Sequence, residues 1–123
     1  MNGNNLLLDT NIVLYFLNGD KTLIPILEDK SLFISFITQL ELLSYNELSS
    51  EEIESIQLFL NECTIIDINI NIKNIAIDLR KKYHLKLPDS IIIATAIWLN
   101  SPVISSDMEF ARAIEADIIL YER

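Results

Sequence analysis

Residues 5–20 read NLLLDTNIVLYFLNGD. Asn5 to Leu8 is a short run, apolar after its first residue, as expected of a strand buried on both faces. Asp9 ends it. Thr10 to Leu17 follows as a helix, with Asn18-Gly19 as its stop. Strand, acid and helix in direct succession make the first unit of an α/β domain.

The rest of the chain repeats the alternation. Ser31 to Ser35, Thr64 to Ile66, Val103 to Ile104 and Ile118 to Leu120 read as further strands. Helices are expected over Lys21 to Leu27, from Thr38 to about Asn46, and from Glu51 to about Leu60 behind the caps Ser49-Ser50. Ile72, Ile75, Ala76, Leu79 and Tyr83 recur at helical spacing and start a helix near Asn71. Ser90 to Leu99 is apolar nearly all round, so it reads as a buried helix with Trp98 in the core. Met108 to Ala113 is a short helix. Strands separated by helices imply a three-layer α/β/α sandwich around a central, mainly parallel sheet.

With 123 residues, half of them hydrophobic, residues 1–123 are expected to form a single domain with a sizeable core. Two glycines and three prolines leave no linker-like segment. The single cysteine, Cys63, excludes an intramolecular disulfide and reads as a small buried residue, in keeping with a reducing cytoplasm. The start lacks the basic region of a signal peptide, and no apolar stretch is long enough for a bilayer. No membrane association is expected. The formal charge of −9 argues against strong non-specific nucleic-acid binding and suits a basic protein partner.

Four acids stand where strands give way to helices. Asp9 follows the first strand, and its ordinary explanation is helix capping. Glu41 lies three residues after Thr38, the spacing of a capping box. Against that, its apolar neighbours would cost a carboxylate hydration. Asp89 follows Pro88 at a helix start, where the dipole favours it. Asp107 follows Val103-Ile104 and Ser105-Ser106, with Ser106 and Glu109 as a second possible capping box. Each acid therefore has a structural reading as well as a functional one. Jointly they point further. Strand ends of one parallel sheet lie along one edge, about 4.8 Å apart per neighbour, and carboxylates gathered there repel one another. A hard divalent cation such as Mg²⁺ or Mn²⁺ removes that cost, and no Cys/His cluster suggests zinc. Metal-held acids suit phosphoryl chemistry.

Four ordered pieces carry a family resemblance: LLLDTNIVLYFLNGD from Leu6, ISFITQLELLSY from Ile34, KLPDSIIIATA from Lys86 and VISSDMEF from Val103. The chain resembles the PIN domain family, most closely VapC-type toxins of bacterial toxin–antitoxin pairs. The resemblance implies a metal-dependent ribonuclease. It places Asp9, Glu41, Asp89 and Asp107 on the family's acidic positions, with Glu109 as a substitute for the last. Thr10 and Asn11 match the polar residues after the first acid, and Ser105 the small hydroxyl before the last. Relatives commonly carry a glycine after the ELL segment, where this chain has Ser44-Tyr45. The resemblance further implies a small antitoxin partner and a homodimer, and leaves open one metal or two.

Arg80, Lys81, Lys82 and Lys86 form the basic cluster. They are candidates for holding RNA phosphates, or else a solvated helix end favoured by its dipole. His84 reads as exposed, and Tyr83 as packed against the body. Two other readings stay open: a catalytically silent PIN-like protein that binds a partner, and a phosphoacceptor receiver domain. The latter usually carries paired acids after its first strand and a lysine after its last, neither of which occurs here.

Overall fold

The computed structural model of the chain describes residues 3–122. Five strands form one sheet in the order β3-β2-β1-β4-β5: β1 (Asn5–Leu8), β2 (Ser31–Ser35), β3 (Thr64–Ile66), β4 (Val103–Ser105) and β5 (Ile118–Leu120). Every pair is parallel. The chain steps outward from β1 to β3 and then returns to place β4 on the other side of β1. The carboxyl ends of β1 and β4 therefore flank a topological switch point, the place where open α/β sheets bind ligands.

Strand periodicity divides the core into two layers. Leu7 and Val103 point into one cluster with Ile72, Ala76 and Leu79 of α5 (Ile70–Tyr83) and Ile91 to Ala94 of α6 (Leu87–Leu99). Leu6, Leu8 and Ile104 point into the other. That second layer contains Ile12 and Val13 of α1 (Thr10–Leu17), Leu27 of α2 (Ile24–Leu27), and Ile56, Phe59 and Leu60 of α4 (Ser50–Glu62). Helix α3 (Phe36–Leu43) joins both layers, with Phe36 and Ile37 against the first and Leu42 inside the second.

The boundaries show which local signals prevail. Gly19 takes φ +94° just past α1, where backbone bonds from Asn18, Gly19 and Asp20 close the helix end; a left-handed residue there favours glycine. Lys21 to Leu27 is not one helix: a 3-10 turn (Lys21–Leu23) capped by Asp20 leads into α2, which has Pro25 in its first turn. Helix α3 begins two residues earlier than Thr38 because Ser35 caps it, accepting from the Ile37 N–H at 3.2 Å. Ser49 and Glu52 form a reciprocal capping box at α4. Asn69 caps α5, and α6 starts at Leu87 rather than Ser90, with Pro88 in the first turn where its missing N–H costs nothing. Met108–Arg112 is a 3-10 turn rather than an α-helix.

Two core expectations need correction. Trp98 is 43% exposed: the buried stretch of α6 ends at Ala96, and the last turn is only partly covered. Cys63 is half-buried rather than enclosed, and burial, followed by the Glu62 charge, pushes its thiol up to about 11. Among the described residues, no helix is long and apolar enough to cross a membrane.

Candidate active site

Asp9 is held from three directions. Its backbone N–H donates to the Ile104 carbonyl at 3.0 Å, extending the β1–β4 pairing by one residue. Its Oδ1 accepts from the Thr10 N–H at 2.7 Å, so the capping role is real. Its Oδ2 accepts from the Ser105 hydroxyl, also at 2.7 Å, and that hydroxyl oxygen accepts in turn from the Asp107 N–H at 3.0 Å. Ser105 thus ties the first acid to the backbone of the last. The Asp9 side chain is almost fully enclosed, at 4% exposure.

A second chain of bonds reaches Glu41. The Thr10 hydroxyl donates to Glu41 Oε1 at 2.7 Å and lies 2.9 Å from the Thr38 hydroxyl. Thr10 has one hydroxyl proton, and giving it to the carboxylate leaves Thr38 as the donor in the second bond. The capping box expected between Thr38 and Glu41 is therefore absent: Thr38 lies inside α3, and Glu41 is turned toward Thr10 instead. Thr38, fully buried, is a member of the site that sequence reasoning treated only as a helix start.

Asp89 sits in the first turn of α6, and Asp107 caps the 3-10 turn by accepting from the Glu109 N–H at 2.9 Å. The Ser106–Glu109 capping box does not form. Ser106 instead lies 3.1 Å from the Tyr15 hydroxyl, and Glu109 pairs with Arg112 at 2.5 Å. Glu109 is thereby engaged by Arg112, while Asp107 is linked to Asp9 through Ser105. Asn11 is exposed on α1 and makes no comparable tie.

The electrostatics mark these acids as a group. Burial raises the Asp9 carboxyl to about 6, against the hydrogen bonds from Ser105 and Thr10, with the charges of Asp89 and Asp107 adding to the rise. Burial likewise raises Asp89 to about 6, followed by the charge of Asp107; Lys86 opposes the shift, and Glu41 and Glu109 add to it. Acids drawn from four separate segments thus feel one another across the switch point. Their all-oxygen donor chemistry fits a hard divalent cation, whose charge would offset the burial and the repulsion. Among the described residues, no three acidic, histidine or cysteine side chains stand close enough to share an ion. The donor types fit, while the spacing is wider than a closed coordination shell.

The basic cluster disperses. Arg80 Nε donates to the Leu85 carbonyl at 3.2 Å and braces the α5–α6 corner. Lys82 pairs with Glu115 at 3.0 Å, Tyr83 donates its hydroxyl to the same carboxylate, and Lys81 is exposed on α5. Lys86 remains beside Asp89, in a cleft of about 240 Å³ that also exposes His84 and Arg112. Arg112 was missed from the sequence. Its spacing to Glu109 was the available signal, since residues three apart on a helical turn are neighbours.

A PIN domain family model matches residues 6–115. The chain belongs to the PIN domain family. Solved structures agree. VapBC2 from Rickettsia felis, bound to a DNA fragment from its promoter, superposes with TM-score 0.86 at 22% identity over 96% of this chain and 99% of that chain. At that identity the likeness speaks to the fold. A toxin–antitoxin complex from Klebsiella pneumoniae gives TM-score 0.82 and 29% identity over 96% and 99% of the two chains. VapBC-1 from nontypeable Haemophilus influenzae gives 0.77 and 25% over 94% and 97%. No curated protein sequence matches the chain significantly. As a PIN domain, the chain is placed in a family of nucleases, and the receiver reading falls away.

Proposed function

We propose that this PIN domain is a Mg²⁺- or Mn²⁺-dependent endoribonuclease and the toxin of a type II toxin–antitoxin pair. The carrying observation is the pair of carboxyls, Asp9 and Asp89, raised to about 6 at the sheet's switch point, with Asp107 and Glu41 among the causes. A site that makes acids costly to ionise is a functional candidate when a charge partner can relieve it.

In this reading Asp9, Glu41, Asp89 and Asp107 hold the cation. Bound there, it would supply an acidified water as nucleophile and offset charge on the phosphodiester. The protein's own groups do the positioning. Ser105 donates to Asp9 and fixes its carboxylate plane relative to Asp107. Thr10, itself held by Thr38, fixes one oxygen of Glu41. Hydroxyl partners of this kind commonly change metal affinity tenfold or more when removed.

The partner reading draws on the relatives, two of which are VapBC structures and one a toxin–antitoxin complex. The net charge of −9 suits a basic antitoxin segment. We further read the protein as cytoplasmic and as a homodimer, with residues 1–123 acting as one domain. A short upstream reading frame for a DNA-binding protein would support the toxin role.

The test is cleavage of RNA by purified protein with Mn²⁺ or Mg²⁺, against Asp9→Asn and a chelator control. Loss of cleavage in both is expected, and equal cleavage by Asp9→Asn would overturn the proposal. The wide spacing of the acids favours a second reading, a silent PIN domain acting by binding alone. Calorimetry separates the two: absence of Mn²⁺ binding, with a basic peptide co-purifying, would support the silent protein.

A further inference from the structure

We propose that the cleft between the α5–α6 corner and the 3-10 turn at Met108–Arg112 is a phosphate-binding subsite for single-stranded RNA, with Lys86 and Arg112 as its cations. The proposal rests on the nuclease reading above. The sequence offered four clustered cations from one segment; the fold selects a different set. Arg80 and Lys82 are spent on the Leu85 carbonyl and Glu115. The cleft instead brings Lys86 and His84 from the corner together with Arg112 from the far end of the 3-10 turn. Asp89, Asp107 and Glu109 line the same cleft. Cations and acids thus share one opening of about 240 Å³, beside the site that would handle the scissile bond.

Three features suit an anion there. Arg112 is pre-aimed: one terminal nitrogen donates to Glu109 Oε2 at 2.5 Å and the other to the Tyr83 carbonyl. Two of five N–H donors are used, which leaves the planar fork able to take phosphate oxygens without first being ordered. Helix α6 begins at the cleft with no side-chain cap on its N-cap residue, Lys86. Its positive dipole end, with the backbone N–H groups of Leu87 and Asp89 on either side of Pro88, adds to the Lys86 ammonium. Finally, Lys86 and Asp89 line the same cleft, one at the N-cap and the other in the first turn of α6, so a strand lying there meets both the ammonium and the acids.

The experiment uses the full chain carrying Asp9→Asn, to suppress cleavage, and a fluorescein-labelled single-stranded RNA oligonucleotide. Anisotropy is followed across a KCl series with Mn²⁺ held constant. Each phosphate contact on a single strand contributes about 0.7 to the slope of log K against log salt. Lys86→Gln and Arg112→Gln should each lower that slope by about 0.7, or about fivefold in affinity per decade of salt. Arg112→Lys should keep the slope and weaken binding, because it keeps the charge and loses the fork. Lys30→Gln removes the same charge just before the amino end of β2, at the opposite edge of the sheet, and should leave the slope alone. If Arg112→Gln melts early, Lys86→Gln carries the test, since the exposed Lys86 side chain makes no hydrogen bond among the described residues. Unchanged slopes in a parent that binds RNA would overturn the subsite and leave the nuclease reading standing. A parent that binds no RNA at any salt would remove both.

Discussion

Replacing Asp9 with asparagine should make the metal-free protein more stable while destroying the activity proposed for it. The Asp9 carboxyl rises from 3.8 to about 6 on folding, chiefly through burial. Between those values the folded protein holds a proton that the unfolded chain has released, so stability falls as pH rises through the window. Above it the ionised group costs the fold about 3 kcal/mol. Asparagine removes that charge. It keeps one carbonyl for the Thr10 N–H and turns its amide toward Ser105, leaving the Ser105 proton without its acceptor, a loss of about 1 kcal/mol. The net gain is about 2 kcal/mol at pH 7, or roughly 8 °C in melting temperature for a chain of this size. Thermal melts in a chelator should therefore show Asp9→Asn above wild type at pH 7 and the two crossing at about pH 4–5, below which the lost Ser105 bond leaves the variant slightly the less stable. Mn²⁺ at about a hundred times its Kd should raise the wild type by about 2.7 kcal/mol and close the gap. A wild-type melting temperature flat between pH 4 and 7, with the variant no more stable, would refute the reasoning that burial and repulsion strain this site.

Thr10→Val should cost about 1–2 kcal/mol by leaving the buried Thr38 hydroxyl without its partner. It should also weaken Mn²⁺ binding about tenfold by calorimetry, with Thr10→Ser restoring both. Asp107→Asn should lower RNA cleavage at least about tenfold more than Glu109→Gln does, because Ser105 couples Asp107 to Asp9 while Arg112 engages Glu109; equal losses would place Glu109 in the ligand set. Trp98→Ala should cost about 1–2 kcal/mol in denaturant melts, under the 3–5 of a core tryptophan, since nearly half of its surface stays exposed at 43%.

The sequence by itself determined the layers and the acids. Runs such as Asn5 to Leu8, too short for a helix of their own, read as strands of a covered sheet, and the strand–acid–helix order put Asp9 and Asp107 just beyond strand ends by covalent connection alone. The four ordered motifs carried the family, and the family model over residues 6–115 bears that out. The tertiary structure decided what local spacing left open. Thr38 and Glu41 had the spacing of a capping box, yet the cap fell to Ser35 and Glu41 went to Thr10, a residue from a different helix. Arg80 to Lys86 read as one basic patch, yet two of its members were drawn off by a carbonyl and a glutamate, and Arg112 took their place in the cleft. Capping and charge clustering are local, and one sequence window admits several outcomes of similar free energy. Which partner a side chain meets is set by β1 and β4 lying side by side, and only the folded chain brings their ends together.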